Sequence, residues 1–226
     1  MILNKKNKFL FLIFLFLILI KISLISLVFG PVKMSVYQII NIISHKIFFF
    51  INDANPSFEI IHESVLWNIR IPRILMGVLV GLGLGSSGAI LQGLFRNPLV
   101  DPGFIGVSSG AAVGAMIAIM FTSAIEIYFH NSIKSFILPF LAITGSFITT
   151  MTIYKMSRIA NKTNIMAMLL SGIAINALAG AVIGLFVSIS SDSELRSFTF
   201  WTLGGLDNSS WEIIGISSLF IFVPFL

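Results

Sequence analysis

Arg70-Ile71-Pro72-Arg73 places two guanidiniums three residues apart at the start of an apolar run. On a helix that spacing sets both on nearly one side. Such a pair has two chemical uses. It can snorkel to lipid headgroups, with its stems lying along apolar surface. It can also hold the carboxylates of an acidic protein surface, because the planar fork of arginine matches a carboxylate. Composition alone favours the lipid account.

Other reactive groupings fall away on inspection. There is no cysteine, so a disulfide framework, a thiolate metal site and a Cys nucleophile are excluded. His45, His62 and His130 are isolated and fall in predicted loops, where solvated histidines are expected rather than a metal site. Gly83-Leu84-Gly85-Ser86-Ser87-Gly88 matches G-x-G-x-x-G letter for letter. A dinucleotide site would need a preceding strand, a βαβ unit and an acid about 20 residues on. Here the glycines lie inside an apolar run, and Asp101 comes too early. No G-x-x-x-x-G-K-[ST] is present, so ATP hydrolysis by this chain is not expected. No acid/base cluster is visible, and no enzyme, cofactor or metal is expected.

Asn97-Pro98-Leu99-Val100-Asp101-Pro102 interrupts two apolar runs. Pro98 turns Asn97 away from helix. Asp101 before Pro102 reads as an N-cap with proline at the first helical position. The carboxylate would meet the positive end of the next helix. The expectation is a rigid, pre-formed helix break or gate at a membrane boundary.

These residues need elements to hold them, and composition names the kind. Of 226 residues, 57% are hydrophobic and 10% charged, and mean hydropathy is +1.02. A soluble domain is nearer a quarter charged, so the fold class is all-α, a polytopic transmembrane helix bundle. Runs near 9–29, 74–94, 104–121, 136–154 and 165–189 have roughly the 20 apolar residues of a span, and a sixth starts at 211–226. The whole chain, 1–226, reads as one transmembrane domain. The first run has a basic start but no small-x-small cleavage site, so it is expected to stay as a span. The segment from Pro31 to Asn68 holds an apolar patch at Ile47–Ile51 and a turn at Asn52–Pro56, with a short surface helix expected there.

Basic residues set the orientation. An N-terminus inside puts Lys5, Lys6, Lys8, Arg96, Lys155, Arg158 and Lys162 in the cytoplasm, and Lys33, Lys46, Arg70, Arg73, Lys134 and Arg196 outside. The net charge of +5 suits loops facing acidic lipid. No basic stripe interleaved with aromatics points to nucleic acid. Gly77, Gly81 and Gly85 recur every four residues, as do Gly106, Gly110 and Gly114. Small residues on one helix face let two backbones approach closely. Lys21 is the only ionisable residue well inside a predicted span, whereas ion-coupled transporters keep acid or histidine relays there.

At this point the residues resemble a known family. Trp67-Asn68-Ile69-Arg70-Ile71-Pro72-Arg73, the run Leu91-Gln92-Gly93-Leu94-Phe95-Arg96-Asn97-Pro98-Leu99-Val100-Asp101-Pro102-Gly103-Phe104-Ile105-Gly106, the block Leu170–Ala177 and the block Leu195–Leu206 are similar to the FecCD family of ABC permeases, importers of ferric siderophores, haem and cobalamin. The resemblance implies a homodimer or pseudo-dimer of permeases with a central path, two cytoplasmic ABC ATPase subunits, and a substrate-binding protein on the outer face of the bacterial inner membrane. It implies that Arg70 and Arg73 dock the binding protein, which reverses the preference from composition. It makes Ser171 and Asn176 candidates for the translocation path. Family members have about ten spans, whereas this chain stops in its sixth. A non-transporting remnant or assembly partner therefore stands as one alternative, and an ion-coupled secondary transporter as another.

Overall fold

The computed structural model describes residues 5–47, 59–121, 131–159 and 162–223. The helices are α1 (Lys5–Val28), α2 (Val36–Ile47), α3 (Ile60–Val65), α4 (Ile71–Phe95), α5 (Val107–Met120), α6 (Asn131–Met156), α7 (Ile165–Ile189), α8 (Asp192–Leu203) and α9 (Trp211–Phe222). A π-helical turn, Leu66–Arg70, joins α3 to α4, and a 3-10 turn, Pro102–Ile105, precedes α5. Arg158–Ile159 (β1) and Lys162–Thr163 (β2) form a small antiparallel pair. The chain divides into two compact units. One contains the residues up to Gly83 and those from Leu206 onward; the other is Leu84–Gly205.

Four helical stretches are long and apolar enough to cross a bilayer: Lys6–Val28, Ile60–Phe95, Phe136–Met156 and Ile165–Ile189. The third and sixth expected spans are shorter apolar helices, Val107–Met120 and Trp211–Phe222. At 1.5 Å per residue the first of these reaches only about 21 Å, against a hydrocarbon core of about 30 Å. The physical cause is local: residues 102–106 form a 3-10 turn and a left-handed glycine, which take the first turn away from the expected helix. The side chains point to the same solvent. Phe9 and Leu12 of α1 are 65% and 62% exposed, a costly surface in water and an ordinary one in lipid.

The first unit buries Met34, Ile39, Ile42 and Leu66 against Leu27 and Val28. α2 lies in the Pro31–Asn68 stretch, where a short surface helix was expected. Its start is capped reciprocally: the Ser35 N–H donates to Gln38 Oε1 at 2.9 Å and the Gln38 N–H to Ser35 Oγ at 3.2 Å. His45 and His62 sit on α2 and α3 rather than in loops. The patch beyond Ile47, the Asn52–Pro56 turn and His130 lie outside the described residues.

In the second unit α5 packs on α6 backbone to backbone. A Cβ on Gly114 would collide with the Leu141 carbonyl, and one on Gly145 with the Gly110 carbonyl. Two apolar clusters flank this contact. One holds Leu91, Phe95, Val100, Ile105, Ile153 and Met168; the other holds Met116, Ile119 and Phe198. α8 supplies Phe198, which stacks on Trp201 with centroids 6.3 Å apart. The Ser191 N–H and Oγ both donate to Glu194 Oε2 at 2.8 Å at its start. The backbone bond from Ser191 is the larger of the two effects that hold the Glu194 carboxyl below its ordinary range.

Candidate functional site

Pro72 explains the geometry of the arginine end. In the π turn each N–H reaches five residues back, as Ile71 does to Leu66. Proline has no N–H, so the Trp67 carbonyl loses its backbone donor. The Trp211 indole Nε1–H takes that carbonyl instead, at 3.0 Å, and the two indoles lie 5.2 Å apart. The Lys46 ammonium stands 5.9 Å from the Trp67 ring and pairs with Glu63 at 2.7 Å. A proline that looks like a plain helix start therefore recruits α9 to the arginine end.

The arginines part company here. Arg70 is buried, 7% exposed. Its guanidinium donates to the carbonyls of Leu27 and Val32, and to that of Val28 at 3.2 Å. The first two of these bonds are short. Arginine thus satisfies the end of α1, whose last carbonyls have no intrahelical partner and whose dipole favours a cation. Gly30 lies against it: a Cβ there would fall 2.6 Å from Arg70 Nη2. Arg73 is half-exposed and pairs with the exposed Asp207 at 2.7 Å, a surface bridge worth no more than about 1 kcal/mol. The expected fixed cationic pair is therefore corrected to one available guanidinium, Arg73. The π turn and the reach of α1's end turn Arg70 inward.

The helix break is more elaborate than an N-cap. α4 ends with Arg96 in the left-handed region, φ 51, and the Asn97 N–H reaching back to the Gln92 carbonyl at 3.2 Å. Asn97 Oδ1 accepts from the Leu99 N–H at 3.0 Å, and the Val100 N–H closes a turn over Pro98 onto the Asn97 carbonyl at 3.4 Å. Asp101 Oδ1 accepts from the Gly103 N–H at 2.7 Å. It caps the 3-10 turn beginning at Pro102, not the α-helix as expected. Gly106, φ 79, then redirects the chain into α5. Gly106 accordingly belongs to the break rather than to the packing face of Gly110 and Gly114. A Cβ there would meet Ile153 and Thr149 at 2.6 Å.

Asn176 of α7 holds this break. Its Nδ2 donates to the Gly103 carbonyl at 3.0 Å, and its Oδ1 accepts from Ser109 Oγ at 2.6 Å. Gly172, one turn earlier, lies so close to the Phe104 carbonyl that a Cβ would collide with it. Thr150 Oγ1 donates to the Ile105 carbonyl at 3.1 Å and Ser146 Oγ to that of Val107 at 2.9 Å. Ser171 is half-buried and takes no part in these bonds. The Asn176 amide, expected toward a translocation path, is engaged by the Gly103 carbonyl of the 3-10 turn and the Ser109 hydroxyl. Asn176→Leu is expected to remove the bonds to the Gly103 carbonyl and to Ser109 Oγ, leaving that carbonyl only the Gly106 N–H at 3.1 Å, and to lower stability by about 1–2 kcal/mol. Thermal unfolding in detergent checks it, and an unchanged midpoint would show the bond to be dispensable.

Among the described residues the glycine face of α4 meets little. A Cβ on Gly81 or Gly85 would meet nothing within 4 Å among the described residues, and one on Gly77 only Leu206 Cδ1 at 3.5 Å. Spacing shows that a face is small, not what fills it. Among the described residues no cluster of three His, Cys, Asp or Glu could hold a metal.

A model of the FecCD transport family matches residues 15–226. The chain belongs to the FecCD transport family. Among curated relatives, the hemin transport system permease protein HmuU of Yersinia pestis is 43% identical over 161 residues, covering 69% of this chain and 46% of that one. The cobalamin import system permease protein BtuC of Halobacterium salinarum is 40% identical over 150 residues, covering 66% and 38%. The molybdate import system permease protein MolB of Haemophilus influenzae is 35% identical over 205 residues, covering 90% and 55%. A solved structure described as an inward-facing conformation of a metal-chelate type ABC transporter matches with a TM-score of 0.71 and 32% identity, covering 95% of this chain and 58% of that one. This FecCD chain thus spans about half the length of the curated relatives it matches. Its several apolar helices and its family make it a multi-pass membrane protein.

Proposed function

We propose that this chain forms part of the translocation path of an ATP-driven importer for an iron chelate, with haem as the first candidate cargo. The observation that carries the reading is the FecCD match across residues 15–226. The hemin permease at 43% identity favours haem, while the cobalamin and molybdate relatives mark the competing cargoes. The permease sits in the bacterial inner membrane with its N-terminus in the cytoplasm. It works beside a second permease copy, two cytoplasmic ATPase subunits and a binding protein on the outer face. Closure of the ATPases rocks the permease between outward and inward access. The Asn97–Gly106 break is the pre-formed element that resists deformation during that motion.

Haem uptake by membrane vesicles carrying the permease, its ATPase and its binding protein tests this. Uptake is expected to stop when ATP hydrolysis is blocked and to survive an uncoupler. The reverse pattern would make the protein ion-coupled, and no uptake in either condition would reduce it to a non-transporting partner. Docking rests on Arg73. Charge reversal, Arg73→Glu, sets acid against acid and is expected to weaken binding-protein affinity about tenfold. Equal affinity of the two forms in detergent would remove Arg73 from the docking surface.

A further inference from the structure

The first unit contains a cavity of about 860 Å³ between α1 and α4. Leu19, Ile22 and Phe29 form one wall and Ile74, Val78 and Leu82 the other. Gly77 and Gly81 lie along the α4 wall, with open space beyond the Gly81 backbone. Arg73 stands among the lining residues at the end where α4 begins. We propose that this groove holds one acyl chain of a phospholipid from the adjoining leaflet, with the lipid phosphodiester on Arg73.

Three observations carry the assignment. Both walls belong to stretches long and apolar enough to span a bilayer, so the solvent at the groove is hydrocarbon. The depth fits one leaflet. From Arg73 to Leu82 the α4 wall runs about 13 Å, and from Leu19 to Phe29 the α1 wall about 15 Å, against half of a core of about 30 Å. The charge fits as well. The guanidinium belongs to the otherwise mainly apolar lining, at the end where α4 begins, where a headgroup phosphate would lie. It has five N–H donors, and its bond to Asp207 uses only Nη2. Arg70 is no rival anchor, because its donors go to the Leu27, Val28 and Val32 carbonyls. At Gly81 nothing among the described residues stands within 4 Å of where a side chain would begin.

The test places the full chain in vesicles of phosphatidylethanolamine and phosphatidylglycerol that include a phosphatidylglycerol with a photoreactive diazirine in its acyl chain. Labelled peptides are mapped by mass spectrometry. Label is expected to concentrate between Leu19 and Phe29 and between Ile74 and Leu82, above the level at Phe147, a lipid-facing position on α6 that is 64% exposed. Gly81→Leu fills the groove and is expected to cut this label about fivefold or more. Arg73→Gln, losing one interfacial charge, is expected to cut it about fivefold, and Arg73→Lys to restore most of it. The Phe147 label reports insertion in every variant, so a misfolded Gly81→Leu is recognised and the Arg73 pair decides alone. Equal labelling at Phe147 and in the groove would overturn the site. So would groove label indifferent to both substitutions, or groove residues cross-linking to another polypeptide in place of lipid.

Discussion

Arg70→Leu is expected to lower the stability of the folded chain by about 3 kcal/mol and to free the end of α1. The guanidinium answers three carbonyls, those of Leu27, Val28 and Val32. Bonds to a charged donor run at about 1.5–3 kcal/mol, and buried acceptors left alone cost about 1–3 kcal/mol each. Leucine supplies none of these bonds, and lipid offers no water in exchange. Lysine would keep the charge and lose the fork, so Arg70→Lys is expected to fall between the two. Thermal unfolding in detergent measures the loss, and faster tryptic cleavage at Lys33 reports the freed loop. If Arg70 instead serves only to dock a binding protein, Arg70→Leu will weaken that complex while leaving unfolding and cleavage unchanged. That result would sink the structural role.

Gly114→Leu is expected to cost about 3 kcal/mol or more and to separate α5 from α6. Its Cβ would meet the Leu141 carbonyl, an atom of the backbone that cannot rotate aside. Overpacking commonly costs about 1–3 kcal/mol when side chains can adjust; here the helices themselves must move apart. Replacing a helical glycine gains only about 1 kcal/mol of propensity, so the collision wins. Gly81→Ala is the matched control, because its Cβ meets nothing within 4 Å among the described residues. It is expected to be neutral or slightly stabilising. Equal unfolding midpoints for the two variants would show that the α5–α6 contact yields without cost.

Both predictions concern residues whose type was visible and whose partner was not. Gly110 and Gly114 belong to a four-residue glycine series, and so do Gly81 and Gly85. One series meets a neighbouring backbone and the other meets nothing within 4 Å among the described residues. Likewise Arg70 and Arg73 share a motif, but one is buried in carbonyls and the other is half-exposed. The π turn that separates them leaves no periodicity signal, since one added residue per turn is invisible in so short a stretch. Other omissions were legible in hindsight. Ser35-x-x-Gln38 and Ser191-x-x-Glu194 are reciprocal capping signatures, and they begin α2 and α8.

What the sequence determined by itself is the class and the family: an all-helical membrane protein whose ordered blocks place it in the FecCD family. These follow from composition, run length and linear motifs, all of which are properties of neighbouring residues. It also located the helix break, because proline and asparagine act on their own backbone. Only the tertiary structure decided that Asp101 caps a 3-10 turn, that Asn176 comes from α7 to hold it, and that Trp211 takes the carbonyl Pro72 leaves free. The last two join residues distant in the chain through a polar group that needs a partner in an apolar medium; the first is local, and turns on which helix type the chain adopts after Asp101. The pairing requirement is written in the sequence, whereas the partner depends on which helices meet.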